Sequence, residues 1–296
     1  LQVLWRSNEP ANPAQTPAPV HPRVALANWM TDVEHGAGPL LARVIVNRLW
    51  QHHLGEGIVG TPNDFGMQGE RPTHPELLEY LAAELVRGGW KLKPLHRTIM
   101  LSDVYQQSHE VDSDNLKIDP ANRYWWHFQP RRLEAETIRD ALLATGGNLD
   151  ATMFGPSVLD DSQRRSVYLR VKRSELLPIM TMFDAPEPTQ SIGERSVTTV
   201  PTQALALMNS SLVRQQAEKL FARIKPTTDV PLNSAVDRGY QIAFGRSPTD
   251  VEQTRMTAFI EQQLTAMGGD TPESTDNALT EFCHVLLCLN EFVYID

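Results

Sequence analysis

Apolar residues recur every three or four positions over most of this 296-residue chain, and this spacing is the feature that most constrains its fold. Side chains at that spacing share one face of an α-helix, which can then pack against a core. The clearest example is THPELLEYLAAELVRGGW, where the apolar stripe consists of Leu77, Leu78, Leu81 and Leu85. The stripe predicts an amphipathic helix.

Start and stop signals support this helix and others like it. A capping box of Thr73 and Glu76 precedes the stripe, and the Gly88–Gly89 pair follows it. A further helix is predicted from Pro39 to the glycines at 55 and 57. The same periodicity predicts helices at about 94–107, 132–146, 174–182, 201–223, 233–244, 248–267 and 275–291. We therefore expect a mainly α, multi-helix globular domain.

One stretch has a different period. In RSVYLRVKR, Val167, Leu169 and Val171 alternate with larger polar residues, as in a strand with one buried face. This alternation predicts a minor short β element near 166–172.

Composition divides the chain into an arm and a domain. Residues 8–22 carry five prolines and few apolar groups, which favours an extended segment over a packed one. We expect residues 1–22 to be a proline-rich arm or linker. Residues 23–296 are expected to form the helical domain, with a possible subdivision near 150–165.

Charge and hydropathy exclude some classes of partner. The formal net charge is -9, with 36 acidic and 27 basic residues and no unbroken run of five cations, so we expect no nucleic-acid partner. Since no apolar run approaches about 18 residues, we expect no membrane span. The chain begins without Met and without a signal peptide, which indicates a fragment. Cys283 and Cys288 are five residues apart in a helical pattern, which favours small core residues over a disulfide.

Common catalytic motifs are absent from the sequence. It contains no G-x-x-x-x-G-K-[ST], G-x-G-x-x-G, G-x-S-x-G or H-E-x-x-H pattern, and CHVLLC is not the C-x-x-C-H haem attachment motif. We assign no metal ligand and no cofactor to the chain itself.

Two adjacent histidines end the helical pattern in NRLWQHHLGEGIVG. Neighbouring helical residues diverge by about 100°, so His52 and His53 are poorly placed to ligate one metal ion together. His53 continues the apolar stripe, and His52 does not. The sequence favours a helix-end role for His53 beside the last carbonyls. A catalytic or substrate-binding role and a metal-ligand role stay open.

A second polar cluster lies in PRRLEAETIRDALL. Arg132, Glu136, Arg139 and Asp140 occupy three-four positions, where opposite charges form intrahelical pairs worth a few tenths of a kcal/mol. A solvated helix face is the simpler interpretation. The alternative is a polar site, because cations such as Arg131 at a helix start oppose the helix dipole and require an anionic partner.

The third candidate is the loop MFDAPEPTQSIGERSVTTVP. It contains Asp184 and Arg195 and leads into a helix with Pro201 in its first turn, where free backbone N–H groups bind anions. Long loops of this kind are often functional. A purely structural wrap over the helices is an equally good interpretation.

Five segments together resemble a known family. They are NRLWQHHLGEGIVGTPNDFGMQGERPTHPELLEYLA, GWKLKPLHRTIMLSDVYQQS, PRRLEAETIRDALLATGGNLD, FDAPEPTQSIGERSVTTVPTQALALMNS and LLCLNEFVYID. In this order they are similar to the domain of unknown function 1553, which is abundant in planctomycetes. The resemblance covers nearly the whole chain.

The resemblance implies a setting but no reaction. In that family the region is typically the C-terminal part of a larger exported protein, commonly preceded by an uncharacterised domain and often by a cytochrome c domain. It therefore implies a periplasmic or cell-envelope location, partners within the same polypeptide, and haem c on an absent N-terminal domain. Relatives often have a cysteine where this chain reads SIGERS, so no role that rests on that cysteine is carried over.

Two functions from different classes fit these observations. The first is a module of a cytochrome-linked enzyme acting on carbohydrate or another polyhydroxylated substrate. Its catalytic residues would be His53, Glu136, Asp140 and Asp184, and its substrate-binding residues would be Arg131, Arg132 and Arg195. The second is a non-catalytic helical scaffold that docks the cytochrome-bearing portion or binds a polysaccharide, with the same charges serving as internal pairs.

Overall fold

The computed structural model describes residues 21–174, 176–225, 232–269 and 271–295. Residues 1–20, which hold most of the expected proline-rich arm, lie outside the described residues. The chain forms two compact units, unit 1 at residues 21–130 and unit 2 at residues 131–295. The unit boundary follows Pro130. Each unit is mainly α-helical, as the periodicity predicts.

Six helices build the described part of unit 1. They are α1 (Pro22–Thr31), α2 (Gly38–Leu54), α3 (Pro75–Arg87), α4 (Leu92–Met100), α5 (Asp103–Gln106) and α6 (Ser113–Ile118). Helix α2 packs along α3, and its buried face includes Ala42, Val46 and Trp50. Gly55, with φ of 91°, ends α2 in a conformation that favours glycine.

The stripe of α3 is confirmed, but its capping box is wrong. Leu78, Leu81 and Leu85 are buried in the unit 1 core. The helix begins at Pro75, a residue that suits the first helical position, so His74 and not Thr73 is its N-cap. The hydroxyl of Thr73 instead donates to the Ile58 carbonyl at 3.3 Å. Thr73 therefore ties the preceding loop instead of capping the helix.

Unit 2 contains eight helices and a two-stranded antiparallel sheet in its described residues. The helices are α7 (Ala135–Thr145), α8 (Pro178–Met182), α9 (Pro201–Asn209), α10 (Ser211–Ile224), α11 (Leu232–Phe244), α12 (Asp250–Ala266), α13 (Pro272–Cys288) and α14 (Asn290–Val293). Strand β1 (Arg131–Arg132) pairs with β2 (Tyr294–Ile295). The first and last described segments of unit 2 thus meet in the sheet.

Helix α13 lies at the centre of the unit 2 core. It packs against α9, α10, α11 and α12, and its side chains Leu279, Phe282, Cys283 and Leu286 are fully buried. Both cysteines are free, and burial raises the pKa of the Cys283 thiol. The interpretation as a core residue is confirmed for Cys283, and Cys288 is partly buried against the same core.

The β element is not a strand at 166–172. Residues Ser166–Tyr168 form a 3₁₀ turn, and Leu169 makes a single bridge to Val158. Of the three alternating apolar residues only Leu169 is buried, whereas Val167 is 71% and Val171 70% exposed. The alternation was a wrong guide here, because the 3₁₀ turn at Ser166–Tyr168 breaks the extended backbone that would place the three side chains on one face.

No helix in the described parts of the chain has both the length and the apolar content that a membrane crossing requires.

Candidate functional site

The seven candidate residues from the sequence are divided between the two units. His53 lies in unit 1. Unit 2 contains Arg131, Arg132, Glu136, Asp140, Asp184 and Arg195.

His53 lies in the last turn of α2 and contacts a second histidine. Its Nε2 lies 2.8 Å from Nδ1 of His96 on α4, and the ring of Tyr105 packs edge-on at 5.7 Å between centroids. A hydrogen bond between two imidazoles requires one ring to donate and the other to accept. The pair therefore carries at most one positive charge while this bond lasts.

A small polar cleft lies in the same unit. Its lining consists of Leu54, Glu56, Gln107, Asn122, Trp125, His127, Phe128 and Gln129. The Nδ1 atom of His127 is buried without a hydrogen-bond partner. Asn122 and Trp125 have φ of 51° and 49°, in the left-handed region that non-glycine residues seldom adopt. Strained residues of this kind are concentrated at functional sites.

In unit 2, Arg132 and Asp184 form a largely buried ion pair. The Nη2 of Arg132 lies 2.7 Å from Oδ2 of Asp184, and the two side chains are 3% and 17% exposed. The Thr198 backbone N–H and hydroxyl also donate to this carboxylate, at 2.8 and 2.9 Å. Burial raises the pKa of Asp184, but the bonds from Thr198 and the Arg132 charge outweigh it and hold the pKa below its usual value.

Glu136 is paired in the same way with Arg195. Two parallel hydrogen bonds join them, at 2.6 and 3.0 Å, and Glu134 lies 3.6 Å from the same guanidinium. Burial raises the pKa of Glu136, but the hydrogen bonds and charge of Arg195 outweigh it, so its pKa lies below the usual value. The bond to Glu136 in turn raises the pKa of Arg195. This bidentate geometry is the strongest form of the interaction.

Asp140 holds a loop through Ser166. Its Oδ1 accepts from the Ser166 N–H at 2.7 Å and from the hydroxyl at 2.6 Å. Beside it the buried Arg139 donates to the carbonyls of Asp160, Ser162 and Arg164. These two side chains of α7 satisfy the polar backbone of the segment 160–166, which has few hydrogen bonds of its own.

The intrahelical pairs expected from the sequence do not form, because α7 begins at Ala135 and Arg132 lies in β1. The observed pairs join residues 52 and 59 positions apart, Arg132 with Asp184 and Glu136 with Arg195. The expected solvated face is also wrong, since Arg132 and Arg139 are only 7% and 3% exposed. Arg131 precedes them in β1, opposite Ile295.

The charged side chains of unit 2 are arranged to hold the loops that contain Asp184, Arg195 and Ser166 against β1 and α7. A general acid at neutral pH requires a carboxyl group whose pKa is raised. Both Glu136 and Asp184 have the opposite shift. Within the described residues, no group of three or more His, Cys, Asp or Glu side chains is arranged to hold a metal ion.

Some polar groups of interest were missed by the sequence analysis. His96 is 43 residues from His53, and the lining of the cleft comes from separate loops, so no local spacing connects them. His96 lies in the stretch predicted as a helix at about 94–107, and no motif marked it. A pairing of this kind is visible only in three dimensions.

Comparison with known families agrees with the sequence motifs. A family model described as PSD1, protein of unknown function (DUF1553), matches residues 22–260. The chain belongs to the DUF1553 family. The match covers unit 1 from residue 22 onward and most of unit 2, so the Arg132–Asp184 and Glu136–Arg195 pairs lie inside the DUF1553 region. No curated protein and no solved structure matches the chain.

Proposed function

We propose that this DUF1553 domain is a non-catalytic helical scaffold, in which the charged cluster of unit 2 holds the loop 183–200 in place. The observation that carries the proposal is that the carboxylates of Glu136 and Asp184 are each bound by an arginine. Asp140, the third candidate carboxylate, accepts two bonds from Ser166. Groups held in this way are poorly available to a substrate.

The arrangement of the loop supports this proposal. Asp184, near its beginning, accepts from Arg132 of β1 and also from Thr198 near its end. Arg195 binds back to Glu136 in the first turn of α7. The loop is therefore bound at two points to elements that precede it, and its two ends are joined by the Thr198–Asp184 bonds. These bonds hold a long connection that has no helix of its own.

The proposed setting is the cell envelope, with the remainder of a longer polypeptide as the partner. In this proposal any haem c belongs to an N-terminal cytochrome portion, and this chain acts as its docking domain. Fractionation of cells that produce the full-length protein tests the location. Copurification of this chain with a separately expressed N-terminal portion tests the docking.

A double-mutant cycle on Glu136 and Arg195 tests the scaffold role. We expect Glu136→Gln and Arg195→Ala each to lower the free energy of unfolding by about 1 kcal/mol, and the double variant to lose less than the sum. Urea unfolding followed by circular dichroism measures these changes. Glu134→Gln is the matched control, because that carboxylate is farther from Arg195 and is expected to have the smaller effect.

Activity measurements decide between scaffold and enzyme. The purified chain would be incubated with oligosaccharides and polyols, with a redox dye as electron acceptor. We expect no turnover. Turnover that Glu136→Gln abolishes while stability is unchanged would contradict the proposal and support the enzyme hypothesis.

A further inference from the structure

The segment 150–173 of unit 2 exposes an unusual number of large apolar side chains. Their exposed fractions are 60% for Met153, 75% for Phe154, 54% for Leu159, 71% for Val167 and 70% for Val171. Single exposed apolar residues are normal, but several within one short segment mark an interaction site. We call this segment the apolar loop region.

The exposure of Phe154 is built into the fold. Its φ of 66° lies in the left-handed region, which is unfavourable for a bulky side chain. Its backbone N–H donates to the Tyr168 hydroxyl at 2.8 Å. This hydrogen bond restrains the backbone at Phe154 in the conformation in which its aromatic ring is 75% exposed.

Arg164 braces the same region. It donates to the carbonyls of Thr152 and Pro156 at 2.9 and 3.2 Å, and also to that of Phe154. Its guanidinium stacks over the Tyr168 ring at 4.0 Å. The loop that carries Met153 and Phe154 is therefore preorganised, which reduces the entropy lost on binding.

Positive charge lies beside these apolar side chains. Residues 150–173 contain five basic residues, all after position 163, and three acidic ones, Asp150, Asp160 and Asp161, in a chain whose net charge is -9. The region therefore has a net positive charge, which lies in its second half. Arg170 and Arg173 are exposed. Arg165 is 52% exposed and lies 3.8 Å from Asp140. The complementary partner is therefore anionic.

We propose that the apolar loop region docks this domain on an anionic lipid surface. Met153, Phe154 and the exposed valines would enter the boundary between headgroups and acyl chains, and the arginines would contact the anionic headgroups. A protein partner is less suitable, because the apolar side chains come from separate turns and a specific interface requires a matched, closely packed surface. A fluid headgroup layer has no such requirement. This inference goes beyond the scaffold role and holds whether or not the domain is catalytic.

Vesicle sedimentation with the whole 296-residue chain tests the proposal. The probes are vesicles of phosphatidylcholine alone and of phosphatidylcholine mixed with phosphatidylglycerol. We expect binding to the mixed vesicles, little binding to the neutral ones, and loss of binding as salt increases. Phe154→Gly is expected to weaken binding about tenfold while the protein stays folded, since glycine suits the positive φ.

Matched controls separate docking from general stickiness. Met67→Ser removes a side chain that is 98% exposed in unit 1 and is expected to leave binding unchanged. The charge reversal Arg170→Glu/Arg173→Glu is expected to abolish binding. The same reversal at the exposed Lys91 and Lys93 of unit 1 is expected to weaken it only slightly.

Three results would overturn the proposal. The first is equal binding to neutral and anionic vesicles, and the second is an equal loss in the Met67→Ser control. The third is absence of vesicle binding, including the case in which the chain is retained instead by an acidic polypeptide such as polyglutamate. That last case would identify a protein partner and not a lipid surface.

Discussion

The two units hold their loops in place with different chemistry. In unit 1 the fully buried side chain of Asn47 binds the backbone of Val59 through neutral hydrogen bonds of 2.8 and 3.1 Å. In unit 2 the loop 183–200 is held by arginine–carboxylate pairs, such as Arg132 with Asp184. Unit 1 also has ion pairs, but the side chains of its Arg43–Glu79 pair are 33% and 57% exposed, whereas those of the Arg132–Asp184 pair are 3% and 17% exposed.

The comparison shows how firmly the candidate catalytic side chains are held by their partners. Carboxylates with arginine partners stay ionised, and their partners prevent them from moving toward a substrate. His53 of unit 1 is also engaged, because its Nε2 lies 2.8 Å from Nδ1 of His96. The residues that looked most catalytic in sequence are therefore the ones that the fold engages most firmly.

The largest expected effect comes from breaking the buried pair of unit 2. Arg132→Ala leaves the Asp184 carboxylate with only its bonds from Thr198, and should lower the free energy of unfolding by about 3 kcal/mol. Urea unfolding monitored by circular dichroism measures this loss. Arg97→Ala, a change at an exposed arginine of α4 in unit 1, should cost less than about 0.5 kcal/mol. Equal effects of the two changes would refute the contrast between the units.

Much of the fold follows from the sequence because helices record their buried face in local spacing. The stripe of α3 and its glycine end are examples. The partners of the charged residues are not recorded locally. Arg132 was assigned to a helix, yet it lies in a strand because β1 pairs with Tyr294–Ile295 at the far end of unit 2. No spacing within a single helix contains that information.

The same limit applies to unit 1. Asn47 is a polar residue of α2, yet it is fully buried, because the loop after α2 folds back and the backbone of Val59 binds its side chain. His53 was correctly placed at the end of α2, while its partner His96 was not foreseen. Local patterns thus predict where a polar residue stands on its helix, and tertiary contacts decide what it binds.

An intermediate effect is expected for the neutral clamp of unit 1. Asn47→Ala leaves the N–H and carbonyl of Val59 without partners in a buried position, and should cost about 2 kcal/mol. Because both groups are neutral, this loss should be independent of salt between low and high ionic strength. Asn28→Ala, a change at an exposed asparagine of α1, is the control and should be nearly silent. A strong salt dependence of the Asn47 effect would contradict the neutral character of this clamp.

The smallest effect concerns an ion-pair network of unit 2 that is partly exposed. Arg246 binds Glu252 through two bonds of 2.8 Å and also binds Glu291. The hydrogen bonds from Arg246 lower the pKa of Glu252 from 4.5 to about 2, although burial acts against the shift. Between pH 4.5 and about 2 the Glu252 carboxylate therefore stays ionised in the folded state, whereas in the unfolded state it takes up a proton. Stability from this group is present above pH 4.5 and is lost as the pH falls toward 2.

We expect Glu252→Gln to remove this pH dependence. Because the Glu252 side chain is 28% exposed, solvent screening limits the contribution at neutral pH to about 1 kcal/mol. The variant should be less stable than the parent at pH 6, and the two should converge near pH 2. Glu261→Gln changes the same charge at an exposed position of α12 that is not a partner of Arg246, and should show no such convergence. Parallel pH curves for Glu252→Gln and the parent would mean that charge contributes no more to unit 2 here than it does to unit 1.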